Sequence, residues 1–89
     1  MSELINACKQ NNTKKALKLI ENKANLDLQD KGEWTALIWS CYKNNTKVAL
    51  KLIENKATLD LQDKGEWTAL MWSCGKNNIE IISYLLEQY

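Results

Sequence analysis

The chain has 89 residues and a net charge of +1, with 12 basic and 11 acidic side chains, so its charge does not point to nucleic acid or an acidic membrane surface. All the bases are lysines and histidine is absent, which excludes bidentate guanidinium recognition, the usual general base and the commonest metal ligand. No apolar run nears the roughly 20 residues that span a bilayer, and Met1-Ser2-Glu3-Leu4 lacks the basic-then-apolar build of a signal peptide; the expectation is one intracellular, cytoplasmic domain without cofactor or metal.

Ser2 opens the first predicted helix as an N-cap, its hydroxyl placed to accept from free helix N–H groups. Asn11-Asn12-Thr13 breaks that helix, because asparagine tolerates the left-handed backbone of a reversal. The triplet also matches a glycosylation acceptor, but without a leader it reads as an inter-helix turn before a second helix. Thr35 caps the next helix, which runs to about Lys43 with Leu37, Ser40 and Cys41 on one face. Asn44-Asn45-Thr46 makes the same turn again. The helix that follows, from about Thr46 to Asn55, carries Val48, Ala49, Leu50, Leu52 and Ile53. These are too many for one narrow stripe and predict cover on two sides, with Lys47, Lys51 and Glu54 left to solvent. From Ala57 to Trp67 the pattern changes: Leu59 and Leu61 alternate with Asp60 and Gln62, then Asp63-Lys64-Gly65 supplies turn chemistry. Thr68 starts the last helix pair, which ends at Gln88-Tyr89.

The chain repeats with a period of 33 residues. Asp30 to Leu37 returns as Asp63 to Leu70, Asn11 to Lys14 returns as Asn44 to Lys47, and Cys8, Cys41 and Cys74 mark one position three times. Such a period signals stacked units that each bury their apolar face against neighbours. Units spaced at the helix packing distance of about 8–10 Å hold equivalent cysteines too far apart for a disulfide, which needs Cα atoms within about 7 Å. Three reduced, packed thiols are expected.

The period, the Thr-Ala-Leu helix start, the Leu52-Ile53 pair, Ala57 and the turn from Asp63 to Thr68 resemble the ankyrin repeat over essentially the whole chain. The resemblance implies an all-α fold, an α-solenoid of helix-turn-helix repeats with short β-hairpin-like finger loops. It divides a single domain, 1–89, into an N-terminal capping repeat without a finger (1–29), a full internal repeat (30–62) and a C-terminal capping repeat (63–89). Three departures from the family's Thr-Pro-Leu-His-x-Ala pattern stand out. Ala36 and Ala69 replace proline, giving up a pre-set first helical residue. Ile38 and Met71 replace histidine, giving up the hydrogen bonds that tie helix to finger. Gly32 and Gly65 lie three residues before the threonine where the family's turn glycine lies two before. At the ends, Lys15 and Ser83 stand where the middle unit has Val48 and Leu50, as expected of units lacking one neighbour.

A second stripe lies opposite the core face of the first helix. Trp39, Tyr42 and Lys43 form it in the middle unit, with Trp34 leading in from the finger. The last unit offers Trp67, Trp72 and Lys76, and the first offers Asn6, Lys9 and Gln10. By resemblance these places line the concave groove in which ankyrin repeats hold protein partners. Tryptophan and tyrosine are enriched at binding hot spots, so the candidate partner-binding set is Trp34, Trp39, Tyr42, Lys43, Trp67, Trp72 and Lys76, rimmed by Lys31, Glu33, Lys64 and Glu66. The same rings are equally suited to stacking on one another across units. The expected function is a non-catalytic protein–protein interaction module, monomeric or weakly self-associating through its aromatic groove. The alternative is an engineered or consensus-like scaffold, or a fragment of a longer array, without a dedicated partner. An enzyme built on Cys41 or Cys74, or on Asp63 with Glu66, is disfavoured: a thiol nucleophile needs a base, and the carboxylates recur as turn residues.

Overall fold

A computed structural model describes residues 2–89. Six helices form three helical hairpins: α1 (Glu3–Lys9) with α2 (Thr13–Glu21), α3 (Ala36–Tyr42) with α4 (Thr46–Glu54), and α5 (Ala69–Gly75) with α6 (Ile79–Glu87). Helices of seven and nine residues are too short to persist alone in water, so their ends and their packing must hold them. Every N-terminal end is capped by a side chain. The hydroxyls of Ser2, Thr35 and Thr68 accept from the N–H groups of Ile5, Ile38 and Met71. The side-chain oxygens of Asn12, Asn45 and Asn78 do the same for Lys15, Val48 and Ile81. Each such cap is worth about 1 kcal/mol. The asparagines before them take the left-handed backbone of the reversal, with φ of 59°, 60° and 56° at Asn11, Asn44 and Asn77.

The first helices stack in the order α1, α3, α5 and the second helices in the order α2, α4, α6, giving two layers with the core between them. The middle hairpin is covered on both sides, as its crowded apolar pattern predicts: Val48, Ala49, Leu52 and Ile53 are all buried. Comparing units shows which way each position faces. Val48 and Ile81 are buried while Lys15 is exposed, so this position faces the preceding unit. Ile5 and Ile38 are buried while Met71 is exposed, and Cys8 and Cys41 are buried while Cys74 is exposed; these positions face the following unit. All three thiols are free, but only two are packed, because no unit covers the third. Ser83 is exposed, and its counterparts Leu17 and Leu50 are only partly buried, so this position belongs to neither stacking face.

Polar side chains set the register between units. The Asn45 amide donates to Asn11 Oδ1 and Thr13 Oγ1, each at 2.8 Å. Asn78 repeats this with Asn44 and Thr46. In the connecting loops, Thr58 N–H and Oγ1–H donate to the Asp27 carboxylate at 2.9 and 2.6 Å. The two fingers are joined by Lys64 N–H donating to the Gly32 carbonyl at 2.8 Å. They are turns; no strand forms among the described residues.

Candidate partner-binding surface

Each finger is a turn followed by one left-handed residue. Glu33 N–H donates to the Asp30 carbonyl at 2.8 Å and Asp30 N–H donates to the Trp34 carbonyl at 3.0 Å; Glu66, Asp63 and Trp67 repeat the pattern at 2.9 Å for both bonds. The left-handed residues are Glu33 (φ 64°) and Glu66 (φ 66°), and among the described residues no glycine has a positive φ. The left-handed site therefore stays two residues before the threonine, and glutamate occupies it at a cost of about 1–2 kcal/mol. Gly32 answers a different need. A Cβ there would come within 3.1 Å of the Trp34 ring.

The aspartate that opens each finger ties it to the helix behind. Asp30 Oδ1 accepts from Gly32 N–H and Trp34 N–H at 3.0 and 2.9 Å, and its Oδ2 accepts from the Trp39 indole N–H at 2.9 Å. Asp63 makes the same three bonds to Gly65, Trp67 and Trp72 at 2.9, 3.0 and 2.8 Å. Bonds to a carboxylate are stronger than neutral ones. The indoles of Trp39 and Trp72 thus supply the helix-to-finger link for which Ile38 and Met71 have no polar group.

The rings then pack on one another. Trp34 lies 4.3 Å from Trp39, 5.1 Å from Tyr42 and 5.0 Å from Trp72 between ring centroids, and Trp67 lies 4.6 Å from Trp72. Trp34, Trp39, Tyr42 and Trp72 are partly buried, whereas Trp67 is 41% exposed. Lys76 Nζ sits 4.3 Å from the Tyr42 centroid and Lys9 Nζ 5.6 Å from that of Trp39, both in cation–π range.

The family description "Ankyrin repeats (3 copies)" matches residues 4–89. The chain belongs to the ankyrin-repeat family. Among solved structures it is similar to human ASB11 ankyrin repeat domain, with 24% identity and a TM-score of 0.87 over 98% of this chain. It is also similar to one chain of a complex between the Bd0816 predatory endopeptidase from Bdellovibrio bacteriovorus and immunity protein Bd3460, with 24% identity and a TM-score of 0.84, again over 98%. The ankyrin stack here spans 39% and 46% of those two chains, respectively. No curated protein sequence matches it. The likeness is one of fold, and the fold generally mediates protein–protein interaction.

The ankyrin stack gathers only part of the expected set at one place. A groove of about 1010 Å³ runs between the first finger and α1, lined among others by Ile5, Lys9, Leu28, Lys31, Trp34 and Trp39. Glu33, Lys64 and Glu66 instead border a separate hollow of about 620 Å³ with Gln29, Asp60 and Gln62. Lys43 is exposed beyond the end of α3, and Trp67 and Lys76 lie toward the trailing end of the ring cluster. Leu28 and Ile5 were not singled out from the sequence. Leu28 is legible as the counterpart of Leu61 in the finger's alternating pattern, and Ile5 reads only as core. Of the cysteines, Cys8 and Cys41 have their thiols pushed up to about 12 by burial, so both stay protonated at neutral pH.

Proposed function

We propose that this ankyrin stack is a non-catalytic module that binds a protein partner across its fingers and first helices. The observation that carries the reading is the groove beside the first finger. It combines the faces of Trp34 and Trp39 with Leu28 and Ile5, and it has Lys9 and Lys31 at its edge. That chemistry suits a segment offering an aromatic or aliphatic side chain next to a carboxylate. Trp67 extends the surface at the other end of the ring cluster, while Trp39 and Trp72 hold the fingers in place from behind. Acid–base or nucleophilic chemistry finds little support. Asp63 commits both carboxylate oxygens to hydrogen bonds, and the two buried thiols are protonated.

The test uses exposed side chains so that the fold survives. A Leu28→Glu/Lys31→Glu double variant is expected to lose the partners retained by the wild-type chain, while Lys14→Glu/Lys18→Glu on α2 keeps them. Side-by-side affinity capture from the native source reads this out. Loss in the α2 variant with retention in the finger variant would place the binding surface on the other layer. A second reading, a stacked scaffold without a dedicated partner, is supported by the ring contacts, since Trp34 makes three within the chain itself. It predicts no partner that distinguishes the two variants.

A further inference from the structure

Charge is sorted along the chain. Residues 4–20 and 34–53 carry seven of the 12 lysines and no acidic side chain, whereas 21–33 and 54–66 carry four acids and two lysines each. The first two helical hairpins thus hold the positive charge, and the loops and fingers after them the negative. The net charge of +1 is what remains when these regions cancel, so it says little about the field over either one.

The positive charge gathers on one face. Lys14 and Lys18 lie one turn apart on α2, as do Lys47 and Lys51 on α4. Ala16 and Ile20, like Val48, Ala49, Leu52 and Ile53, turn inward, so the four lysines stand on the outer side of their layer. The bonds from the Asn45 amide to Asn11 and Thr13 hold α2 and α4 in matched register. The lysine stems therefore rise from the corners of a patch about 6 Å by 10 Å. Among the described residues the one ion pair on this face joins Lys51 to Glu54, at 3.8 Å. Glu80 and Tyr84 take the corresponding places on α6, so the patch covers two units only. It faces sideways from the stack, and units added before or after it would leave it open.

The chemistry of the face narrows its occupant. No residue of α2 or α4 lines the hollows beside the fingers, and all four tryptophans belong to fingers and first helices. A protein segment is held mainly by anchors seated in pockets, and a single nucleic-acid strand by rings on which its bases stack. The guanidinium forks favoured for nucleic-acid phosphates are absent, since every base is a lysine. An anionic bilayer asks for none of these features and attracts each lysine brought near its surface. We propose that the outer face of α2 and α4, centred on Lys14, Lys18, Lys47 and Lys51, docks on an anionic lipid bilayer. The contact is electrostatic and superficial; among the described residues no helix is long and apolar enough to cross a membrane. Docked this way, the chain turns its fingers and first helices away from the lipid, and the groove stays open to its partner. The two surfaces share no residue, and either can fail alone.

Vesicle co-sedimentation of the whole chain tests this, with phosphatidylcholine vesicles prepared with and without phosphatidylserine. The expected result is binding to the anionic vesicles alone, weakening as salt rises. Lys14→Glu/Lys47→Glu should weaken it at least about tenfold, because each lysine near the surface contributes. Both positions are exposed, and a glutamate one turn before Lys18 or Lys51 suits a helix, so the fold survives. Lys31→Glu/Lys64→Glu makes the same change of net charge on the fingers and should leave binding nearly unchanged. The wild-type chain reports its own orientation: tryptophan emission, whose water-sensitive part comes from exposed Trp67, should not shift on binding. No binding to anionic vesicles at low salt, equal binding to neutral ones, equal weakening by the finger variant, or a blue-shifted emission would each overturn the proposal. Tighter binding to soluble polyglutamate than to the vesicles would overturn it in favour of an acidic protein segment.

Discussion

The two fingers carry the same eight residues and make the same internal hydrogen bonds, yet their side chains meet solvent in opposite ways. In the first finger, Asp30 is partly open to the groove and Trp34 is packed against three rings. In the second, Asp63 is buried and Trp67 is exposed, with Trp72 its one ring neighbour. The direction of stacking explains the difference. Each finger tryptophan leans toward the first helix of the following unit, so Trp34 meets Trp72 and Trp67 meets no counterpart. The second finger rests on the first through the bond from Lys64 to Gly32, and its aspartate is covered from that side. Identical sequence gives identical local geometry, and place in the stack decides which groups remain available to a partner.

The comparison breaks most visibly at the rings. Trp34→Ala is expected to lose about 3 kcal/mol or more, as for a large-to-small core change, and Trp67→Ala about 1 kcal/mol, the worth of one aromatic pair. Urea unfolding of the two variants side by side checks this; equal losses would mean that stacking direction does not separate the fingers. The aspartates should show the reverse order. Asp63→Ala strands two backbone N–H groups and the Trp72 indole and should cost about 2–3 kcal/mol, with Asp30→Ala costing less because water reaches its partners. Thermal melts read the order, and a larger loss at Asp30 would contradict it. The smallest effect should be the same in both fingers. Glu33→Gly and Glu66→Gly each relieve a left-handed side-chain clash and should gain about 0.5 kcal/mol after glycine's entropic cost. A gain in one finger alone, seen as unequal shifts in the denaturant midpoint, would show that neighbours rather than the turn set that conformation.

Much of the fold was legible because local chemistry recurs at each unit. Ser2, Thr35 and Thr68 cap helices as their hydroxyls and positions require, and Asn11 and Asn44 reverse the chain. Less legible was anything decided by distant contact. Asp30 and Asp63 read as turn residues, and only the folded finger brings each to an indole nine residues on. The glycines drew attention to Gly32 and Gly65, while the left-handed backbone fell on the glutamates beside them, because the turn, not the residue preference, fixes that site. The aromatic stripe was visible as a set, but which rings are held behind the fingers and which stay open depends on which unit follows. Cys74 shows the same dependence. Its sequence position matches two buried thiols, and its exposure comes from a missing neighbour.

The asparagine amides between units have a consequence for how such a chain lengthens. Asn45 uses its oxygen to cap its own helix and its nitrogen to hold the unit upstream, and Asn44 and Thr46 beside it receive the unit downstream. Donor and acceptors travel in one block. A gene that duplicates the segment 30–62 in tandem inserts a copy that arrives with both halves of the joint and needs no compensating change. Duplicating the segment from 63 onward would carry only one of the two acceptors, since Asn77 stands in the place of Asn44 but Ile79 has no hydroxyl in the place of Thr46. Heritable growth of this stack is therefore easiest through its middle unit, which carries the whole joint.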